Sequence, residues 1–567
     1  MRKMLPFLGW FPMRGVDVRA DLVAGITVAM VLIPQSMAYA QLAGLPPHYG
    51  LYASFLPVVI GALFGSSRQL ATGPVAVVSL LTASTLVAYA EVRTPQFVEL
   101  AILLTLMVGM VQLLLGVLKL GVVVNFLSHP VIVGFTNAAA IIIGLSQISK
   151  TIGVPMGRSE MFVKDIWNVL LQIPHTHLPS LLFGVVAFTL MWQLKRRRPA
   201  LPNVLIAVAL ATLVSWAIDF KGMGGAVVGA IPPGLPVLSL PAVTGERLLL
   251  LLPSALVISL VGFMEAVSIA KAMAAQTRNR LDPNQELIGQ GLANILGSLG
   301  QSYPTSGSFS RSAVNLNAGA RSGLSSIITA VTVLITLMFL TPLLYYLPQS
   351  VLAAVIMMAV VGLIHFRAIR HAWDANRHDG IAALVTFAST LAFAPHLDHG
   401  ILLGAALSLF FYLFRSMRPR VALLGRYPDG TLRDLKVHPH LPTDERIIVI
   451  RFDGQLFFAN VSYFEDTVLA AIASNPKASY ILVVGDGINQ LDASGEEVLH
   501  HLVERFHGTN LTIVFSGLKK QVLDVMRNTG LFDLTGGEAN IFATTNSALD
   551  HIYDRLGESQ NRPLLPA

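Results

Sequence analysis

Cysteine is absent from this chain, and charged residues are scarce. None of the 567 residues is a cysteine, and 13% are charged against 54% that are hydrophobic. The first absence excludes disulfides, thiolate metal sites and cysteine nucleophiles. The second excludes an ordinary soluble protein, in which roughly 25% of the residues are charged. The composition therefore predicts a protein that lies in a membrane.

The N-terminal segment, residues 1–20, lacks the features of a cleavable signal peptide. It has no sustained apolar stretch before its charges and no small-residue cleavage site. We expect this segment to stay in the cytoplasm. The histidines show no metal-ligand spacing, and no pair of nucleophile and base stands out. No metal, no cofactor and no enzymatic activity are therefore expected.

Long apolar runs fill the chain from about Asp21 to Phe414. Each is near 20 residues long, such as VELAILLTLMVGMVQLLLGVLKL at 98–120, and a helix of about 20 residues crosses the roughly 30 Å hydrocarbon core. Counting these runs predicts about fourteen transmembrane segments over residues 21–420. The segments at 284–300 and 305–320 are short enough to cross only half of the bilayer.

Basic residues alternate between the loops that join these segments. The loops at 44–50, 300–304, 345–350 and 394–400 contain no Lys or Arg. The loops of the opposite side contain Arg68, Lys119, KRRRP (195–199), Lys271, Arg278, Arg280, Arg321, Arg367, Arg370, Arg415, Arg418 and Arg420. Cytoplasmic loops are enriched in such residues, so both ends of the membrane part are expected in the cytoplasm of a cell (inner) membrane protein. The loops with Lys150, Arg158, Lys164 and Lys221 dilute this pattern. The net charge of +7 thus reflects topology, and no nucleic-acid partner is expected.

Two interruptions rich in Gly, Pro, Ser and Thr occupy corresponding positions in the two halves. They read RQLATGPVAVVSLL at 68–81 and QSYPTSGSFSRSAV at 301–314, and each opens a short apolar helix. Paired discontinuous helices are the best sequence indication of a transporter site near the bilayer midplane. Either break alone is more typical of loosened or kinked helix packing, and it is their pairing that favours a functional site.

An anion is the ligand that two such helix ends would favour. A helix N-terminus carries free N–H groups and roughly half a positive charge, so two facing N-termini form a donor-rich hollow. Ser308 and Ser310 add hydroxyl donors, Thr72 adds one opposite, and Arg311 adds a cation. The alternative for Arg311 is a snorkelling residue at the cytoplasmic edge of the membrane.

Glu265 is an acid with apolar residues on both sides for more than a turn. Carboxylates in a membrane are costly and typically mark ion or proton paths. A dianion that arrives beside Glu265 would favour its protonation, which would couple proton entry to anion entry. The alternative is a purely structural ion pair with Arg311.

Further polar residues have structural explanations of equal or greater weight. Gln35 and Tyr39 follow a proline in the first segment and either line the site or join helices. Glu286, Gln290 and Asn294 recur at every fourth residue and so share one helical face. We interpret that face mainly as a structural contact next to the site.

These stretches together resemble the sulfate permease (SulP) family of anion transporters, whose animal members include prestin and pendrin. The matching stretches are DLVAGITVAMVLIPQSMAYAQLAGLPPHYGLYASFLP (21–57), TGPVAVVSLL (72–81), NQELIGQGLANILGSL (284–299) and SGSFSRSAVN (306–315). The resemblance implies an α-helical polytopic membrane protein of 7+7 inverted repeats. A core domain would hold segments 1–4 and 8–11, and a gate domain segments 5–7 and 12–14.

The same resemblance implies where the substrate binds and how it moves. The anion site would contain Ser308, Phe309, Ser310 and Arg311 of segment 10, Val75 and Ala76 of segment 3, and Gln35 and Tyr39 of segment 1. Transport would follow an elevator movement of core against gate in a homodimer. Glu265 matches a position linked to sodium in a cyanobacterial bicarbonate relative and to protons in plant relatives. Ile269, one turn on, offers no hydroxyl to sodium, which favours protons.

Residues after Arg420 have the alternating pattern of a small α/β domain. Strands are predicted at 445–460 and 479–487, and amphipathic helices at 493–508 and 519–531. This part resembles the STAS domain, which we place at 439–557 after a linker at 421–438. A disordered tail is expected at 558–567. In LDASG (491–495) the residue after Asp492 is Ala493, so the phosphorylation known at that position in related domains is excluded. Ser494 remains a weaker acceptor, and capping of the next helix by Asp492 and Ser494 is preferred.

The sequence thus predicts a secondary active anion transporter, with proton-coupled sulfate uptake as the first hypothesis. Its expected partners are a small inorganic anion, protons, the lipid bilayer, a second copy of the chain and a regulatory partner of the STAS domain. Bicarbonate or a dicarboxylate, coupled to protons or sodium, is the alternative substrate. An uncoupled anion channel, a voltage-driven motor and a membrane-tethered sensor are the competing functions.

Overall fold

The fold is taken from a computed structural model, which describes residues 5–121, 128–157, 159, 161–198, 201–558 and 561–565. Residues 1–4 of the N-terminal segment, Arg158 and Pro199 lie outside the described residues. The chain divides into two compact units, Met1–Ser408 and Leu409–Ala567.

The first half of the membrane unit is helical except for one short strand. Its elements are α1 (Gly15–Leu42), α2 (His48–Tyr52), α3 (Leu56–Phe64), β1 (Ala71–Gly73), α4 (Ala76–Leu86), α5 (Pro95–Val117), α6 (His129–Ser146), α7 (Ile148–Ile152), α8 (Phe162–Leu171), α9 (Leu178–Arg197) and α10 (Asn203–Ala217).

The second half repeats this pattern, again with one short strand before a short helix. Its elements are α11 (Gly245–Thr277), α12 (Pro283–Leu299), β2 (Ser306–Ser308), α13 (Phe309–Asn317), α14 (Leu324–Ile335), α15 (Gln349–Val361), α16 (Phe366–Ala375), α17 (Arg377–Ala392) and α18 (Leu397–Met417).

Helix lengths separate full crossings from partial ones. Among the described residues, seven helical stretches are long and apolar enough to cross a membrane, and 48–64, 76–86 and 203–217 are shorter apolar helices. Helix α4 has 11 residues and α13 has 9. At 1.5 Å per residue they are about 16 Å and 14 Å long, so each crosses about half of the hydrocarbon core, as the sequence predicted for 305–320. The other segment predicted to be this short, 284–300, forms α12 with 17 residues, which is about 26 Å long and spans more than half of that thickness.

The helices of the membrane unit pack in two groups. Helices α1, α3, α5, α11, α12 and α14 pack against one another, and α6, α9, α15 and α17 form a second group. These groups correspond to the expected core and gate domains. Packing in the core is close enough to require glycine, since a Cβ on Gly289 of α12 would lie 2.6 Å from the Gly65 backbone after α3.

The second unit is a six-stranded sheet with helices on both faces. Its elements are β3 (Arg420–Arg426), β4 (Leu432–Asp434), β5 (Ile447–Asp453), α19 (Val461–Ser474), β6 (Tyr480–Val484), α20 (Ala493–Phe506), β7 (Thr512–Ser516), α21 (Lys520–Thr529), α22 (Leu531–Leu534), β8 (Ile541–Phe542) and α23 (Thr545–Arg555). The strand order is β4-β3-β5-β6-β7-β8, with β5 to β8 parallel and β3 antiparallel to its neighbours. Helices α19 to α21 cover one face of the sheet and α23 covers the other.

The boundaries of this unit differ from the expected ones. The segment 421–438, expected as a linker, contributes strands β3 and β4, because Ala422 and Leu424 are buried in the core beneath α23. Within the tail 558–567, expected to be disordered, Leu564 is buried and its N–H donates to the Tyr553 hydroxyl at 3.2 Å. Asp492 caps α20 by accepting from the Gly495 N–H at 2.8 Å, which agrees with the preferred interpretation of that loop.

Candidate functional site

The two helix breaks meet in a two-stranded antiparallel ladder. Strand β1 pairs with β2 in the register Ala71 to Ser308, Thr72 to Gly307 and Gly73 to Ser306. Helix α13 begins directly after β2, and α4 begins after β1 with Pro74 and Val75 between them. The ladder therefore holds two helix N-termini side by side, although they come from opposite halves of the chain.

Both N-termini leave backbone donors without an acceptor inside their helix. The first intrahelical bond of α4 runs from the Ser79 N–H to the Val75 carbonyl, so the N–H groups of Ala76 to Val78 precede the helical pattern. At α13 the Ser308 hydroxyl oxygen accepts from the Arg311 N–H at a long 3.5 Å. The N–H groups of residues 309 and 310 at this end are the ones that an external acceptor can take.

A cavity of about 540 Å³ opens beside these helix ends. Of the residues that the sequence predicted for the site, those that line this cavity are Gln35, Tyr39, Val75, Ala76, Glu265, Ser308, Phe309 and Ser310. The other walls come from α9, α10 and α15, through residues such as Lys195, Asn203 and Met358. The cavity thus lies between the core and gate groups of helices. Sequence reasoning missed the residues of α9, α10 and α15, because no local pattern relates these helices to the breaks.

Glu265 is an acidic residue that lines this cavity. It lies on α11, half-buried, with Ile269 one turn further along the same wall. Among the described residues its carboxylate has no hydrogen bond and no ion pair. The expected alternative of a structural ion pair with Arg311 therefore does not apply, because no N–O approach within 4.0 Å joins the two side chains.

Arg311 lies behind the wall of the cavity and does not line it. Its side chain is completely buried, so it is not a snorkelling residue at the membrane edge. Its Nη1 donates to the Pro74 carbonyl at 2.7 Å and to Gln35 Oε1 at 3.3 Å. Successive residues of a helix point about 100° apart, so Ser310 faces the cavity while Arg311 points back at the β1 end.

Arg311 is connected to the cavity by hydrogen bonds through Gln35 and Tyr39. Gln35 accepts from Arg311 with its Oε1 and donates with its Nε2 to the Tyr39 hydroxyl at 3.0 Å. Because the Tyr39 oxygen accepts here, its own O–H remains as a donor beside the cavity. Arg311 Nε and Nη2 have no hydrogen-bond partner among the described residues.

Thr72 also differs from its expected role. Its hydroxyl oxygen accepts from Gln290 Nε2 at 2.9 Å, and its side chain packs against Gly61 of α3, where a Cβ would lie 2.9 Å from Thr72 Oγ1. Alternate residues of a strand point to opposite sides, and Thr72 is on the side of α12. It supports the ladder and is not exposed to the cavity.

Helix α12 braces both breaks with the polar face that its spacing predicted. Gln290 holds Thr72 of the first break. Asn294 holds the second, since its Oδ1 accepts from the Thr305 N–H at 2.9 Å and from the Thr305 hydroxyl at 3.0 Å. Glu286 accepts from the N–H groups of Ser66 and Ser67 at 2.8 Å and 3.0 Å. The polar face of α12 was therefore recognisable in the sequence, whereas the residues of the two breaks that it contacts were not.

Comparison with known proteins identifies the family. Residues 18–386 match the Sulfate permease family, and residues 438–548 match the STAS domain. The chain belongs to the sulfate permease family. "Sulfate transporter 4.1, chloroplastic" of Arabidopsis thaliana is 38% identical over 537 residues, which cover 92% of this chain and 78% of the relative. The "Sodium-independent sulfate anion transporter" of Bos taurus is 33% identical over 567 residues, covering 94% and 89%.

A solved structure supports the same fold. The murine Solute Carrier 26 family member A9 anion transporter, determined in the inward-facing state, superposes with a TM-score of 0.89. It is 23% identical, and the match covers 98% of this chain and 94% of that one. This member of the sulfate permease family is thus a multi-pass membrane transporter with a C-terminal STAS domain, and it is not an enzyme.

Proposed function

We propose that this transporter carries sulfate into the cell together with protons. The observation that carries the proposal is the cavity of about 540 Å³ that contains two helix N-termini and the unpaired carboxylate of Glu265. Relatives named as sulfate transporters, at 33% and 38% identity, favour sulfate among the anions.

The donors around the cavity favour a small anion with several acceptor oxygens. Two helix ends each contribute roughly half a positive charge, and the hydroxyls of Tyr39, Ser308 and Ser310 add donors. Arg311 adds a full positive charge one layer behind, where burial limits its screening by water. This combination recognises charge better than shape, so bicarbonate and dicarboxylates remain the alternative substrates.

Glu265 supports coupling to protons. Among the charged residues described, Lys195 and Glu265 line the cavity. An ionised Glu265 would repel a bound dianion, whereas a protonated one would not, so anion and proton are favoured together. A second ligand for sodium is missing at Ile269, and an uncoupled channel would have little need of this acid. The bovine relative is named as sodium-independent, which favours the same conclusion.

The position of the cavity suggests its place in the transport cycle. It extends to Lys195 and Leu201, which flank the basic loop that we assign to the cytoplasm. We infer an inward-open conformation, with the N-terminus and the STAS domain in the cytoplasm. Since core helices form one wall and gate helices the other, an elevator movement of the core past the gate would carry the site across the membrane. In a homodimer, contacts between the two subunits would keep their gate domains fixed while the core domains move.

The test is uptake into liposomes that contain the purified protein. Labelled sulfate, bicarbonate and fumarate are offered under imposed proton or sodium gradients. A gradient of one pH unit is worth about 1.4 kcal/mol per proton, so sulfate is expected to accumulate about tenfold for each coupled proton. Sulfate uptake that is indifferent to the proton gradient would reject the coupling, and preference for another anion would reject the substrate.

Glu265→Gln separates binding from coupling. The amide cannot take up a proton, so the variant is expected to exchange sulfate across the membrane but to lose accumulation driven by the proton gradient. The matched control is Glu99→Gln, because Glu99 lies on α5 with its side chain 54% exposed and outside the cavity. Retention of proton-driven accumulation in Glu265→Gln would contradict the assignment.

A further inference from the structure

The STAS domain contains a second polar cavity, of about 300 Å³, on the face of the sheet that α23 covers. Two rows of alternate residues on that face each run from apolar side chains to an arginine. The rows are Ala422, Leu424, Arg426 on β3 and Ile447, Val449, Arg451 on β5. Both arginines line the cavity together with the first residues of α23. The two rows run in opposite directions, because Ala422 of β3 pairs with Arg451 of β5, so the two arginines lie at opposite ends of the apolar rows.

Arg426 is a buried cation that forms no ion pair within 4.0 Å among the described residues. The residue is 6% exposed, and one of its nitrogens, Nη1, donates to Asn546 Oδ1 at 3.4 Å. Its Nε and Nη2 are buried and have no hydrogen-bond partner among the described residues. Burial lowers the pKa of Arg426, opposed by the charge of Asp429. Asp429 itself is engaged by Arg433 at 2.7 Å, so Arg426 is left in need of an anion.

The N-terminus of α23 points at the same cavity. This helix has 11 residues, and its cap is the Thr544 hydroxyl, which accepts from the Ser547 N–H at 3.2 Å. The N–H groups of Thr545 and Asn546 precede the intrahelical pattern and line the cavity wall with their residues. The helix end contributes about half a positive charge. Arg451 adds little, because it is paired with Asp453 at 2.8 Å.

We propose that this cavity binds a tetrahedral oxyanion, a sulfate ion or a phosphate group, between Arg426 and the N-terminus of α23. The Nε and Nη2 atoms form the edge of a guanidinium that holds two oxygens of such a group at once. The N–H groups of α23 would take a third oxygen. Asp486 lies exposed at the rim and weakens the attraction. This site is separate from the transport cavity and does not depend on which anion is transported.

The absence of cysteine allows a local test in the full-length protein. Thr431 is exposed and lines the cavity, so Thr431→Cys supplies the sole thiol of the chain. Alkylation of this thiol by iodoacetamide is followed in sodium sulfate, sodium phosphate and sodium chloride at equal ionic strength. Sulfate or phosphate is expected to slow the alkylation and chloride is not. The stronger of the two protecting anions identifies the source of the oxyanion.

Variants in the Thr431→Cys background assign the protection to Arg426. Arg426→Gln is expected to abolish it, and Arg426→Lys, which lacks the two-donor edge, to require about tenfold more anion. Asp486→Asn should lower the anion concentration needed, and this gain does not depend on how well an Arg426 variant folds. Arg505→Gln, an exposed arginine on α20 at the other face, is the control that should keep the protection. Equal alkylation in all three salts, or protection that survives Arg426→Gln, would overturn the proposal.

Discussion

Ser308 is the residue at which the ladder, the helix end and the transport cavity meet. It is the last residue of β2, it caps α13, and it lines the cavity. Replacing it by alanine removes one hydroxyl from the proposed anion site and leaves the backbone donors in place. We expect Ser308→Ala to weaken sulfate binding strongly while the protein stays folded.

The magnitude follows from the two roles of the hydroxyl. A hydrogen bond to a charged group contributes about 1.5–3 kcal/mol, so the half-saturating sulfate concentration should rise about 10- to 150-fold. The cap itself is weak, because the Arg311 N–H lies 3.5 Å from Ser308 Oγ. Its loss should cost only about 0.5 kcal/mol, the low end for N-caps. Binding should therefore change much more than stability.

The assay is the sulfate dependence of initial uptake into liposomes, combined with thermal unfolding in detergent. Ser302→Ala is the matched control, since Ser302 is buried, donates to the Tyr303 carbonyl at 2.8 Å and does not line the cavity. Ser302→Ala should lower the midpoint of thermal unfolding slightly and leave the half-saturating sulfate concentration unchanged. If Ser308→Ala keeps the wild-type value, or if both variants change it equally, the hydroxyl does not bind the anion.

Three further predictions concern stability. Asn294→Ala should lower the midpoint of thermal unfolding, because each backbone group left buried and unpaired at the second break costs about 1–3 kcal/mol. Gly289→Ala should destabilise the protein, because the added Cβ would lie 2.6 Å from the backbone of Gly65. Gly144→Ala should not, because nothing lies within 4 Å of the Cβ that it would add. Equal midpoints of thermal unfolding for the two variants would contradict the packing argument. Arg420 donates to Asp434 and lowers the pKa of that carboxyl. The pair's contribution to the free energy of unfolding is therefore complete above the ordinary pKa of about 3.9 and is lost as the pH falls through the lowered value. Asp434→Asn should therefore unfold at a lower temperature than wild type at pH 7. The difference in unfolding temperature should narrow as the pH falls below about 3.9, and a difference independent of pH would refute this.

The parts of the site that local sequence could predict are those governed by spacing and by backbone chemistry. The two breaks were recognisable because Gly, Pro, Ser and Thr interrupt apolar runs at matching positions. The polar stripe of α12 followed from the four-residue spacing of Glu286, Gln290 and Asn294. Capping by Asp492 followed from the preference of helix N-termini for aspartate. In each case the cause lies within a few residues of the effect.

The parts that sequence could not predict depend on contacts between distant segments. The direction of Arg311 follows from how α13 is rotated against α1, and its Gln35 contact spans 276 residues. Thr72 faces α12 because of the register of β1 with β2, which no local pattern fixes. The segment predicted as a linker holds β3 and β4, because β4 has only three residues and β3 pairs with β5, which lies further along the chain.

The pairing of β1 with β2 has a consequence for biosynthesis. The residues that it joins are far apart in the chain, as the sequence separation of 237 between Pro74 and Arg311 indicates. The first half of the protein therefore leaves the ribosome and enters the membrane with β1 unpaired. The backbone N–H and C=O groups of β1 then lack their hydrogen-bond partners until β2 has been synthesised and inserted. Premature truncation before residue 306 should leave an insertion intermediate that quality control can recognise, since unsatisfied backbone groups are costly in lipid.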